Sequence, residues 1–307
     1  PFSEGYGFFD GNGTRHQRSQ LSAAGEWRGV FADRLAVTAG VRRDDNDTFQ
    51  DFTTWRSSVS YDWREVGLRP HASVGTAAKI PGMYDQFGPN LTDYQSNPNL
   101  KPETSFGWDA GLEARFLSGR ALIDVTYFKH DLKDKIGLTG FDLTTFRSFP
   151  ENALGTSTRQ GIEVAGRYLV TPGLSLGLAY TYTDARQPNG DRELRRAPHG
   201  GRADVRYVFN DGKGNVSLAA IYNGSKPDRV FDASFTGSTL TLDPYWLMQV
   251  AASYKISPNI EIFGRVENAL NSKYQEIFGY NTAGVAAYAG VRVTFDDLLG
   301  AAAQAGR

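Results

Sequence analysis

The sequence predicts an all-β fold, an antiparallel barrel that crosses a membrane with its strands. Three observations predict it: apolar and polar residues alternate with period two along the chain, short and long connections alternate between the strands, and aromatics gather near strand ends.

The alternation is clear at 105–116. Phe106, Trp108, Ala110, Leu112, Ala114 and Phe116 fall on one face, opposite Ser105, Gly107, Asp109, Gly111, Glu113 and Arg115. In 246–256 Trp246, Met248, Val250, Ala252, Tyr254 and Ile256 oppose Leu247, Gln249, Ala251, Ser253 and Lys255; in 202–209 Ala203, Val205, Tyr207 and Phe209 oppose Arg202, Asp204, Arg206 and Val208. Further strands are predicted at 19–30, 34–43, 51–63, 67–79, 120–135, 144–170, 173–185, 214–225, 259–268 and 285–295, about thirteen in all.

Short turns fall at 31–33, 63–67, 118–119, 171–173, 210–214 and 257–259, and longer connections at 43–50, 80–102, 136–143, 186–198, 226–243 and 269–284. Antiparallel strands that cross a bilayer place all short turns on one side and all long loops on the other. A soluble all-β protein with one buried face is the competing reading. Against it, Trp63, Phe116, Tyr207, Phe209 and Tyr254 sit near strand ends, which fits two interfacial girdles better than a closed core. Phe106, Trp108, Leu112, Val205, Tyr207, Met248, Val250 and Val293 are therefore expected to face lipid. Asp109, Glu113, Arg206, Arg265 and Glu267 are expected on the wall of a wet lumen, where charges avoid the desolvation cost of a dry core.

Composition excludes other classes. A net charge of -1 removes the bulk electrostatic case for a nucleic-acid partner. The lack of cysteine excludes thiol catalysis, cysteine-liganded metals and disulfides. A mean hydropathy of -0.42 with no long apolar run excludes a helical span but leaves a barrel open, since only alternate strand residues meet lipid. The four histidines (His16, His71, His130, His199) accompany no Gly-x-Ser-x-Gly, HExxH or phosphate-loop pattern, so no enzyme is expected. The chain opens at Pro1 without an initiator methionine or signal peptide, and it is read as a fragment of a longer protein.

The segment NPNLKPE (97–103) has turn-forming asparagines and two prolines that stiffen the entry to the strand beginning at Glu103. It resembles the corresponding strand entry of TonB-dependent outer-membrane receptors. KIPGMYDQFG (79–88), YFKHDLKDKIG (127–137), GIEV (161–164), LRRAPHG (194–200), ENALNSKYQEIFGYNTAG (267–284) and YAGVRVTF (288–295) carry the same resemblance in the family's order. It spans about residues 67–295. YTYTDAR (180–186), LRRAPHG and GYNTAG place it nearest the cobalamin-receptor branch. Two departures stand out: Asn268-Ala269-Leu270 replaces the family's Asn-Leu-Phe, and residues 296–307 follow Phe295, where family members usually end.

The resemblance implies a complete barrel of roughly 22 strands around an N-terminal plug, so an incomplete barrel is expected here. Residues 1–16 would be an extracellular loop remnant, 17–295 the C-terminal part of the barrel, and 296–307 a tail of unassigned role. The implied place is the outer membrane of a Gram-negative bacterium. The implied partners are outer-membrane lipid, TonB through a region upstream of Pro1, the barrel-assembly machinery through the 290–295 strand, and a corrinoid or, second, an iron-siderophore ligand. A passive pore is the competing class.

Ligand capture is expected where loops combine aromatics with amides: Tyr84, Phe87, Asn90 and Tyr94 in one, Phe278, Tyr280 and Asn281 in another. Lys226, Arg229 and Lys273 are interleaved with Asp228, Asp232 and Glu276, so no strong anion trap is expected. Asp44, Asp45 and Asp47 form the densest carboxylate cluster, a candidate calcium site whose competing reading is a solvated hairpin tip.

Overall fold

The computed structural model describes residues 2–9, 15–88, 90–231 and 237–295, with backbone alone at 2–9, 138 and 139. The 296–307 tail and Asp232 lie outside the described residues. The strands are β1 (Phe2–Phe9), β2 (Arg15–Phe31), β3 (Leu35–Asn46), β4 (Phe52–Tyr61), β5 (Leu68–Lys79), β6 (Glu103–Phe116), β7 (Ala121–Lys133), β8 (Ile136–Asp142) and β9 (Arg147–Asn152). Then come β10 (Thr156–Thr171), β11 (Leu174–Arg186), β12 (His199–Phe209), β13 (Gly214–Asn223), β14 (Lys226–Phe231), β15 (Gly237–Leu242), β16 (Tyr245–Ser257), β17 (Ile260–Glu267) and β18 (Ala286–Val293). A five-residue helix, α1 (Met83–Phe87), lies between β5 and β6.

Fourteen strands form one sheet in chain order, while β8–β9 and β14–β15 form separate two-stranded ribbons. The chain divides into two compact units. One comprises Pro1–Glu113, Thr126–Gly161 and Asp184–Arg192; the other comprises Ala114–Val125, Ile162–Thr183 and Glu193–Arg307.

Three expectations are corrected. Within 1–16, expected as loop, residues 2–9 pair with β2 from Phe2↔Ser22 to Phe9↔Arg15. The single strand expected at 144–170 is two, because the chain turns between β9 and β10 at Gly155, whose φ of +92° favours glycine. The connections expected at 136–143 and 226–243 contain ribbon strands rather than plain loop. The sheet therefore holds one strand more than the thirteen expected, β1 being the addition.

The tight turns follow from local chemistry. The β12–β13 turn takes Asn210, Asp211 and Gly212 through φ of +52°, +52° and +83°, the left-handed conformations that match the twist of flanking strands and that these residue types accept. Ala32 and Asp33 do the same between β2 and β3 at φ of +50° and +54°. Long connections occur at the opposite strand ends, so within each unit short and long alternate as expected.

Register makes each face continuous across strands. In the second unit Leu176, Val205, Leu218, Val250 and Val266 stand in one row, because each is the direct partner of the next. One residue along, Ser175, Arg206, Ser217, Ala251 and Arg265 form a row on the other face. In the first unit Gly29, Val37, Val59 and Ala72 make an apolar row, and Arg28, Thr38, Ser58 and Ser73 a polar one. Directly opposed residues share a face, so a one-residue slip would invert a whole strand.

Candidate functional site: the wall and its long connections

The apolar face is uncovered. Phe106 is 45%, Leu112 43%, Tyr207 49% and Val293 46% exposed, while Trp108 and Val205 are also exposed and Met248 and Val250 half-buried. A water-soluble sheet would bury such a face. Aromatics mark both ends of it in the second unit. At the long-connection end Tyr222 packs on Trp246 with centroids 4.8 Å apart, and the Tyr180 hydroxyl is 2.7 Å from His199 Nδ1. At the short-turn end Tyr207 stacks on Phe209 at 5.5 Å, and Asn210 donates to the Tyr254 hydroxyl at 2.7 Å. From Trp246 to Tyr254 the strand runs roughly 27 Å at ~3.4 Å per residue. Tilted by ~40°, that covers about 20 Å of depth, close to the apolar band of an outer-membrane barrel.

The other face is polar and internally paired. In the first unit Arg42 donates to both oxygens of Asp44, which also accepts from Ser22 and Gln20 at 2.6 Å each. Ser73 hydrogen-bonds Asp109, and Arg69 lies 3.6 Å from Glu113. In the second, Arg292 meets Glu261 at 2.6 Å, and the Arg265 guanidinium sits 4.6 Å from the Tyr288 ring centroid.

The three aspartates of the calcium candidate are not brought together. Asp44 is buried on the polar face. Its strand neighbour Asp45 necessarily points the other way and pairs with Arg43 at 2.8 Å. Asp47 accepts from the Ser19 amide and the Thr48 hydroxyl.

In the first unit the connection 80–102 is tied down on two flanks. Arg18 donates to the Pro81 carbonyl at 3.0 Å, and Phe87 stacks on His16 at 4.2 Å. On the other flank Asn97 donates to the Pro150 carbonyl, while Asn152 accepts from the Lys101 amide and donates to the carbonyls of Lys101 and Asp134. Asn97 and the Lys101 backbone thus tie the NPNLKPE strand entry to the β8–β9 ribbon. Tyr84 and Tyr94 stack on one another at 5.2 Å, and Asn90 accepts from the Ser96 amide. Burial, aided by Asp85, pushes the Tyr94 phenol up to about 12. Three of these four expected ligand residues therefore contact partners within their own connection, with only the 46%-exposed Tyr84 presenting much open ring.

In the second unit the last long connection bounds a cavity of about 750 Å³, whose lining includes Tyr245, Lys273, Tyr274, Phe278 and Asn281. Tyr245 shares the polar face with Asn223, which donates to its hydroxyl at 3.0 Å, and Tyr274 packs on it at 4.3 Å. Phe278 and Asn281 both line it. Tyr280 is 70% exposed and does not line the cavity. In the sequence Asp228 is only a charge that offsets nearby cations. It is sealed, at 0% exposure, and accepts from Arg195 at 2.7 Å and from the Phe278 amide at 2.7 Å.

An antiparallel sheet with an uncovered, girdled apolar face and a charge-paired polar face defines the class: a membrane-spanning β-barrel wall. The chain matches the family profile "TonB dependent receptor-like, beta-barrel" over residues 1–269, and it belongs to that family. Its place is the Gram-negative outer membrane. Solved structures similar to it include the ferripyoverdine receptor of the outer membrane of Pseudomonas aeruginosa, 16% identical with a TM-score of 0.69, covering 92% of this chain and 40% of that one. The ferric enterobactin receptor PfeA of Pseudomonas aeruginosa is 18% identical with a TM-score of 0.75, covering 92% and 46%. The siderophore receptor PirA of Acinetobacter baumannii is 18% identical with a TM-score of 0.74, covering 91% and 46%. The chain thus spans less than half the length of these structures. At such identities the likeness is one of fold.

Proposed function

We propose that the full-length protein is a receptor for TonB-dependent active uptake of a scarce, bulky, metal-bearing ligand. The observation that carries this reading is the cavity beside the last long connection, where aromatic faces and side-chain amides converge next to the polar face of a family barrel. Its volume of about 750 Å³ lies within the ordinary range for small-molecule sites. In this reading the long connections hold the ligand from outside. TonB, contacting a segment upstream of the barrel, displaces a plug, and the ligand passes along the polar face. The barrel does no bond chemistry.

A corrinoid is the first ligand assigned. Tyr274, Phe278, Asn271 and Asn281 offer rings and amides to a broad apolar rim studded with amides, and the lining cation Lys273 is accompanied by Asp243. A ferric siderophore is the second, supported by the fold shared with the ferripyoverdine and ferric enterobactin receptors. The test is titration of the full-length receptor in outer-membrane vesicles with cyanocobalamin and with ferric enterobactin. Saturable corrinoid binding is expected. Saturable siderophore binding alone overturns the corrinoid assignment, and binding of neither overturns capture of both.

A further inference from the structure

Asp228 is the most completely sealed carboxylate described outside the sheet, and its surroundings are built for it. It lies on the six-residue β14, paired with β15 in a ribbon that belongs to no larger sheet. Two-stranded ribbons are marginal alone, and a buried carboxylate without donors drives such a ribbon open. Here one oxygen accepts from Arg195 Nε at 2.7 Å and the Arg229 amide at 2.8 Å, and the other from the Phe278 amide at 2.7 Å. Arg195 is fixed in turn, since its own amide donates to the Pro227 carbonyl at 2.7 Å. One carboxylate therefore fastens the connection after β11 and the connection after β17 to the ribbon between them.

The flanks of the last connection are held without Asp228. Asn268 bonds Ser272 and the Ala283 carbonyl, Ser272 donates to the Trp246 carbonyl, and Thr282 donates to the Tyr274 carbonyl. The middle, with Phe278, reaches Asp228 through a backbone amide. A backbone contact fixes where the chain runs without using the side chain. The Phe278 ring, 44% exposed, is left to the cavity.

We propose that Asp228 is the positioning residue for ligand capture: it seats residues 275–281 so that Phe278 and Asn281 stand in the cavity wall before a ligand arrives. This deepens the uptake reading and rests on it. Preorganisation of this kind raises affinity by removing the ordering cost from the binding step.

The test uses the full-length receptor with D228A, F278A and the double variant. Amide hydrogen exchange at 275–281 is expected to quicken at least tenfold in D228A while β12, β13 and β16 stay as they were. Whichever of cyanocobalamin and ferric enterobactin the wild type binds is expected to bind D228A at least tenfold more weakly. The two substitutions should be non-additive in the double variant, because a displaced Phe278 has little left to lose. If D228A fails to assemble, D228N keeps the shape and one acceptor, and its exchange at 275–281 should be faster than that of the wild type. Unchanged exchange at 275–281 overturns the seating. Quickened exchange with unchanged affinity, or full additivity, overturns the role in capture. If neither probe binds the wild type, the role in capture falls with the uptake reading, and exchange still decides separately whether the carboxylate seats the stretch.

Discussion

A carboxylate surrounded in sequence by lysine and arginine reads as one more solvated charge, and Asp228 shows what that reading misses. Burial alone would raise its pKa. The Phe278 amide, the Arg195 guanidinium and the Arg229 amide together outweigh burial and hold it below the ordinary carboxylate value. A depressed folded-state pKa stabilises the fold above the unfolded value of about 4, and that contribution is lost as pH falls through the lower folded value. Exchange at 275–281, corrected for its intrinsic pH dependence, should therefore stay flat from about pH 8 to 5 and rise only below about pH 4. A rise between neutrality and pH 5 would assign the latch to another group. Residue identity was legible here and residue partnership was not: Tyr84 and Tyr94 were visible as aromatics, but not the stacking of one, on α1, against the other, ten residues on.

The main strands were legible because burying or exposing a single face imposes period two on the sequence. Where two strands follow each other across a short turn, that signal cannot count them. Thr156 to Thr171 and Arg147 to Asn152 merge for this reason, with only Ala153, Leu154 and Gly155 between them. The two ribbons were hidden because they lie among the long connections and are held by single side-chain hydrogen bonds to other segments rather than by a face of their own. Asn152 is the clearest case, with three hydrogen bonds to the backbone of two other segments. Replacing it with alanine removes all three bonds; water reaches most of the freed groups, so the cost is about 0.5–1.5 kcal/mol. N152A should raise exchange at 99–103 and 134–137 and leave β2–β4 untouched; equal change throughout would mean that the ribbon is not held locally.

Across the whole molecule the decisive property is that neighbouring residues on one strand live in different solvents. Val250 lies in an apolar row between Leu218 and Val266, whereas Gln249 lies beside Ala219 in the row of Asp204. In a bilayer V250R should cost about 2–4 kcal/mol, and Q249R close to nothing. Denaturant titration of the full-length receptor in lipid vesicles measures both; equal costs would remove the membrane assignment of the faces. The same register divides the chain by what it can absorb. A single residue gained or lost within Gly200–Phe209 turns Arg202, Asp204 and Arg206 toward the hydrocarbon, while the stretch from 268 to 285 can lengthen or shorten and leave every row of the wall in place. Length variation among descendants of this sequence is thereby confined to the rim, and the rows of the wall keep their two solvents.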